Sequence, residues 1–479
     1  MAIFIVLLLL STILVVFLFF GRTTTEGAKI GLYDMEMELA DSSGIEVESF
    51  GLGMIELSAA NGNLVVAPLT GILAKPAGDA LHPLVVIIHG ASPVADIHES
   101  TYAGFDYLVK QLAAEGYVAV SINVNVNYTF EFGESVLQDG WAMDIVDAHV
   151  SALASLGRVD LSEIHLIGHS RGGEVAESLV RRQEENGDRN IKSIIRLAPI
   201  AALQEGYPDI PFGIILPEFD GDVSEKEGQI VFDEILGLRE NESFGSLVYL
   251  RGANHNFFNR KFEEDDRYFE RSFADIENRE TWITREEQED FTKRYVVAFL
   301  SVVRGERQPW GAFDIGSVNP NRMFGRDVVV SSYFGGVQVF VQLPEENSAA
   351  RVSGNAEMSF YLQSIPINST YPGLFNHPTV MARRDQRLEL YNITWTDRTG
   401  RVVFDSKISD LSSKKSISLF VVQDMPNELN EMGQNQAFTV VLRDRSGNES
   451  YVIVPEGTSA LQYHTRRYSR KRMVPETCG

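Results

Sequence analysis

One short stretch constrains this chain more than any other. Ile164 to Ile167 reads as a strand, Gly172 to Gln183 has helical spacing, and Gly168-His169-Ser170-Arg171-Gly172-Gly173 stands between them. A strand that becomes a helix within a few residues, with glycines on both sides of a serine, predicts a sharp turn that lifts the hydroxyl above a sheet edge. The glycines permit strained backbone and a close helix–strand approach. The helix N-terminus then faces the serine and favours negative charge beside it. Away from that setting the same letters would mean only a Gly/Ser turn before a helix.

The surrounding sequence supplies the sheet. Leu84 to Ile88 is a continuous apolar run, the pattern of a strand buried on both faces. Tyr107 to Glu115 has helical spacing and Gly116 ends it; Tyr117 to Val124 is strand-like again; Ala142 to Leu156 reads as a helix. Ile191 to Leu197, Gly213 to Leu216 and Ser246 to Leu250 read as further buried strands. Thr284-x-x-Glu287 is a capping box opening a helix to Val303. Strands alternating with helices predict an α/β domain with a doubly wound, mostly parallel sheet over residues 60–308. Residues 22–59 read as a linker with N-terminal strands, and 309–326 as a second linker. From 327 to 479, short alternating runs such as Val337 to Val341, Leu388 to Ile393 and Phe438 to Leu442 predict an all-β sandwich-like accessory domain. Gln436 to Gly447 resembles a late strand and turn of the sandwich modules appended to secreted hydrolases, in which another strand pair usually follows; the resemblance implies that a domain ending in this basic, turn-rich tail is incomplete, or the sequence truncated.

A serine hydroxyl needs a base, and the base an orienting acid. In sheets of this kind the order along the chain is serine, acid, histidine. Of nine histidines, His255 fits best: it follows the strand 246–250 in Gly252-Ala253-Asn254-His255-Asn256-Phe257-Phe258. It thus occupies a loop at a strand's C-terminal end, where such sheets bind ligands. His165 lies inside a strand, and His169 belongs to the elbow but is expected to point away from the serine. The acid is expected after the strand near Ile214, in Glu218-Phe219-Asp220-Gly221-Asp222. Asp220 comes first after the strand and is favoured; Asp222 is the rival. Two backbone N–H groups are needed to hold an oxyanion. Arg171, next to the serine, supplies one. The turn His89-Gly90-Ala91-Ser92 after the first buried strand supplies the other, from Ala91, with Ser92 as the alternate.

On these residues, 64–308 resembles the cutinase, chlorophyllase and dienelactone-hydrolase branch of the α/β-hydrolases. Gly168 to Gly173 is similar to the chlorophyllase elbow, Gly252 to Asn259 to the histidine loop of bacterial polyester hydrolases, and Glu218-Phe219-Asp220 to their acid loop. Serine stands where dienelactone hydrolases carry cysteine, and His169 stands where bacterial cutinases often carry tryptophan. The resemblance implies a serine hydrolase that cleaves small or polymeric carboxylic esters through an acyl-enzyme. A serine peptidase of the prolyl-oligopeptidase kind uses the same elbow, but such enzymes carry a β-propeller for which the segment before the fold is too short. An inactive surface-binding protein is the third reading, and the ordered Ser170, Asp220 and His255 speak against it.

Composition narrows the partners. With 42 Lys+Arg against 66 Asp+Glu, the net charge of −24 repels phosphate, so nucleic acid is excluded. A single cysteine, Cys478, forms no intrachain disulfide and no Cys-rich zinc site. No metal or cofactor is expected. Residues 1–21 are expected to act as a signal-anchor or signal peptide: Ala2 to Phe20 is uncharged and just long enough to span a bilayer as a helix. That predicts an extracytoplasmic, membrane-anchored or secreted protein. In the β domain Tyr333, Phe334, Tyr371 and Trp395 are candidates for stacking on a carbohydrate or polymer.

Overall fold

A computed structural model describes residues 2–462, apart from 9–14, 20–27, 59–63, 93–95, 129–140, 201–208, 224–225, 233–241, 269–278, 315–316, 336–349, 365–386, 406–416, 424–426, 432–433 and the single positions 30, 156, 230, 334 and 428. The chain divides into two compact units: Tyr33–Asp266 with Trp282–Val337, and Met1–Leu32 with Arg267–Thr281 and Gln338–Gly479.

The first unit is built on an 11-stranded sheet. Its strands are β1 (Asp34–Met35), β2 (Glu48–Ser58), β3 (Leu64–Ala74), β4 (His82–Ile88), β5 (Val118–Ile122) and β6 (Val159–His169). They continue with β7 (Ile191–Leu197), β8 (Phe212–Phe219), β9 (Gly245–Asn254), β10 (Arg322–Met323) and β11 (Arg326–Tyr333). The spatial order is β1-β10-β11-β9-β8-β7-β6-β4-β5-β3-β2. From β5 to β9 every neighbouring pair is parallel, while β2, β3 and β11 join antiparallel at the flanks. The helices are α1 (Asp106–Ala114), α2 (Trp141–Ala154), α3 (Arg171–Asn186) and α4 (Arg285–Val303).

The apolar runs are continuous because both sheet faces are covered. Val85 and Ile87 share a core with Leu108 and Leu112 of α1 and with Phe291, Tyr295 and Phe299 of α4. Val86 and Ile88 point to the opposite face, since side chains alternate along a strand, and they are also fully buried. The capping box on α4 is formed: Glu287 N donates to Thr284 Oγ1, and Thr284 N to Glu287 Oε2 at 2.8 Å. The arrangement is a doubly wound, mostly parallel α/β sheet, consistent with the expected α/β-hydrolase class. After β4 the chain adds β5 on one side, then crosses to add β6 on the other. That reversal opens a crevice at the C-terminal ends of β4 and β6, the place where open α/β sheets take their ligands.

The sheet is wider than the sequence suggested. Glu48–Ser58, read as an N-terminal strand ahead of the α/β domain, pairs antiparallel with β3 within its sheet, and Arg326–Tyr333, read as the start of the β domain, pairs with β9. Alternating periodicity identifies a strand but not the sheet it joins. The span 309–326 therefore lies inside the first unit, not between two domains.

The second unit carries two small sheets. One runs Ala356–Ser364, Arg387–Trp395, Ala2–Leu8, Ser418–Gln423; the other runs Ala350–Ser353, Arg401–Asp405, Val15–Phe19, Phe438–Arg443, Glu449–Val454, Ala28–Lys29. Tyr391, Ile393, Trp395, Val402, Phe404, Phe438 and Val440 form a shared core. The N-terminal apolar segment, expected as one helix, forms two antiparallel-paired strands here. Its many β-branched and aromatic residues suit a strand. Among the described residues no helix is long and apolar enough to cross a membrane. Of the aromatics proposed to stack on a carbohydrate, Tyr333 and Trp395 are buried; a closed core gives them no face to offer. Phe334 and Tyr371, Cys478 and the basic tail lie outside the described residues.

Candidate active site

Ser170 ends β6 and begins α3 with φ +53° and ψ −124°, a conformation that L-residues rarely adopt. Such strain costs about 1–3 kcal/mol and persists only where surroundings enforce it. They do so here. Ser170 N donates to Leu197 O at 2.9 Å, and Gly173 N to Ser170 O at 3.0 Å. A Cβ on Gly172 would penetrate the carbonyl of Ile88, and one on Gly168 the backbone of Gly172, so α3 sits as close to β4 and β6 as backbone allows. Ser170 occupies the N-cap position, yet its side chain caps nothing. Among the described residues its hydroxyl makes no hydrogen bond, and the first N–H groups of α3, Arg171 foremost, lack intrahelical acceptors.

The turn after β4 lies against the serine. A Cβ on Gly90 would fall 2.6 Å from Ser170 Cβ and 3.2 Å from its Oγ. His89 shapes this turn. Val124 N donates to its Nε2 at 3.1 Å, so the proton is on Nδ1, which meets Gly90 O at 2.7 Å. Burial pushes its pKa down to about 4, so it is neutral. Tyr128 Oη donates to His89 O at 3.0 Å. Because C=O and N–H point oppositely across a trans peptide, pinning Gly90 O aims the Ala91 N–H away from the His89 ring. Ser92, the alternate donor, has its Oγ 3.4 Å from Glu99 Oε2.

The structure brings the acid and histidine loops together. His255 Nδ1 lies 3.2 Å from Asp220 Oδ2 and 3.1 Å from Oδ1, with both side chains buried. Asp220 Oδ1 also accepts from Asp222 N at 3.1 Å and Val223 N at 2.6 Å. Asp222, largely exposed, stands instead 3.4 Å from His255 Nε2. In a serine triad the orienting acid holds Nδ1 and leaves Nε2 to the nucleophile; here Asp220 meets Nδ1 and Asp222 faces Nε2. Burial alone would lower the pKa of His255, but the attraction and hydrogen bonding of Asp220, with Asp222 and Asp266, raise it to about 9. Burial raises Asp220 in turn, but His255 outweighs it and holds the carboxyl below the usual range.

The histidine loop is anchored to α4. Gln288 Nε2 donates to Asn254 O at 2.8 Å, and Asn254 N donates to Gln288 Oε1 at 3.1 Å. Two side chains given no catalytic role in the sequence reading also reach His255. Buried Asp266 accepts from its main-chain N–H at 3.1 Å, and buried His169 meets its carbonyl at 3.2 Å. Asp266 follows His255 by eleven residues in no motif, and nothing in the sequence marks it. His169 was read as part of the elbow and as pointing away from the serine, but its partner, the carbonyl of His255, was not foreseen. Among the described residues no group of three or more His, Cys, Asp or Glu could hold a metal ion.

No protein-family model matches the sequence, and no curated protein matches it. Solved structures show a limited likeness. To the esterase Est22 the identity is 15%, over 56% of this chain and 82% of that one, with a TM-score of 0.35. To a fungal esterase from Rhizomucor miehei it is 14%, over 56% and 87%, with a TM-score of 0.36. At that level the likeness bears on neither reaction nor substrate, which must be argued from the site.

Proposed function

We propose that this protein is a serine hydrolase that cleaves carboxylic esters through an acyl-enzyme. Ser170 Oγ attacks the ester carbonyl while His255 Nε2 takes its proton. Asp220 fixes the tautomer that leaves Nε2 free and stabilises the imidazolium that forms. The N–H groups of Arg171 and Ala91 receive the oxyanion, aided by the positive end of α3. His255 then passes its proton to the leaving alkoxide and an alcohol departs. Water, deprotonated by His255, attacks the acyl-enzyme and releases the acid and the free serine. The observation that carries this reading is the buried Asp220–His255 pair at the same sheet edge as an elbow serine with φ +53°.

Ser170→Ala tests it. Turnover of p-nitrophenyl butyrate and labelling by a fluorophosphonate should both vanish, with turnover falling by roughly 10³-fold or more. A variant that hydrolyses the ester at the parent rate would place the chemistry elsewhere.

A further inference from the structure

Asp220 touches the ring of His255 at Nδ1, and exposed Asp222 stands 3.4 Å from its Nε2. Two further groups hold its main chain: Asp266, and His169, whose ring also lies 4.7 Å from the His255 ring, centre to centre. Asp266 Oδ2 accepts from His255 N at 3.1 Å and from Gly221 N at 2.7 Å, while its Oδ1 accepts from Asn256 N at 2.8 Å. One buried carboxylate thereby ties the histidine loop to the acid loop. The approach is close enough that a Cβ on Gly221 would run into the Asp266 backbone. From the other side, His169 reaches the carbonyl of His255 with Nε2 at 3.2 Å. The acceptor there is a carbonyl, so the proton of this imidazole is on Nε2.

His169 is an odd choice for its position. Its ring is fully buried, with ring centres of Phe105, Phe258 and Phe262 at 5.8–6.0 Å. Among the described residues its buried Nδ1 has no hydrogen-bond partner. A phenylalanine would fill that aromatic cage without stranding a polar nitrogen, and burying one unpaired is unfavourable. What histidine adds is a single N–H, spent on His255 O. Asp266 repeats the pattern: a buried carboxyl whose hydrogen bonds all go to main-chain amides of the two loops that carry the base and its acid.

We propose that His169 and Asp266 are positioning residues that clamp the main chain of His255 and hold its imidazole in register with Ser170. The proposal rests on the reading of His255 as the base. The clamp works through the placement of a residue already bound to its acid. Its loss therefore acts on the chemical step and leaves the ester's binding surface in place. Small misplacement of a catalytic group is enough for a large loss in rate.

The test is a set of variants of the full chain assayed for kcat, KM and melting temperature. His169→Phe keeps the ring and removes the donor; kcat should fall about tenfold or more with KM nearly unchanged. His169→Gln returns an N–H at the reach of Nε2 and should recover most of that loss. Asp266→Asn retains one acceptor oxygen and should likewise lower kcat without moving KM. Ser170→Ala and His255→Ala serve as references. If those two abolish turnover while His169→Phe keeps the parent kcat, the clamp is overturned and the catalytic reading stands. If His169→Phe loses rate but His169→Gln does not restore it, or if the losses simply follow falling melting temperatures, the role is structural and the clamp is again overturned. If His255→Ala leaves turnover intact, it is the catalytic reading that fails.

Discussion

The two units of this protein hide their hydrophobic residues in different ways, and the difference accounts for where chemistry can be placed. In the α/β unit the parallel strands β4 to β9 are covered on both faces, and nearly all residues of their C-terminal halves are buried. All of them end at one edge, so loops from four strands meet there, carrying Gly90, Ser170, Asp220 and His255. In the β unit, short paired strands bury one face each around Tyr391, Trp395 and Phe404. A crossover sheet collects residues distant in sequence at one rim; paired β-strands there mainly close a core.

The contrast is broken most directly at Asp220. Asp220→Asn should lower kcat by roughly 10⁴-fold, because the imidazole loses the partner that fixes its tautomer. If Asp222→Asn proves the more damaging change, the acid loop works two residues out of the register seen here.

A second test uses pH. His255 must be unprotonated to accept the serine proton, and its pKa is raised to about 9. Ester turnover at subsaturating substrate should therefore climb about tenfold per pH unit through neutrality and level off near 9. Stability should run the other way. A histidine whose folded pKa lies above its unfolded value of 6.5 contributes stability that is complete below 6.5 and is lost as pH rises through about 9. Melting temperature should thus decline over the window in which activity grows, and His255→Asn should flatten that decline. A rate plateau already reached at pH 6 would contradict the carboxylate cage around His255.

Asp222 gives a smaller effect on the same axis. It faces Nε2 from a largely exposed position, so water screens much of its charge. Asp222→Asn should move the acid limb of the rate profile modestly to lower pH and change the plateau by no more than a few-fold. The smallest effect is expected in the β unit. Trp395→Ala should destabilise that unit by about 3–5 kcal/mol, yet leave the turnover of a soluble ester by folded protein unchanged. A loss of turnover there would show that the β unit shapes the active site.

Much of this was legible in the sequence, for physical reasons that also mark the limits. Strands buried on both faces must be apolar throughout, so Leu84–Ile88 and its parallel neighbours stood out. The elbow was legible because close helix–strand packing admits only glycine beside Ser170. His255 was singled out through its place after a strand, and the structure sets it beside Asp220. Asp220 and Asp222 stayed rivals because both follow β8 within a few residues, and only side-chain direction separates Nδ1 from Nε2. Asp266 was missed because a carboxylate that binds amides has no periodicity and no neighbouring motif. The flanking strand β11 was seen as a strand and assigned to the wrong domain, since pairing partners are not written in local sequence. The N-terminal run was expected as one helix because about 18 or more apolar residues in succession argue a spanning helix; the strands described there follow its β-branched and aromatic content instead.

The three glycines around Ser170 have a consequence for variation. At positions 90, 168 and 172 an added methyl meets Ser170 or the backbone of Ile88 and Gly172, none of which can move aside without moving the sheet. A saturation library across 88–92 and 167–173, selected for ester turnover, should return glycine alone at those three positions and a broader alphabet at Arg171. The spacing between one helix and two strands would be recorded there as a comb of forbidden substitutions, a distance measured by genetics.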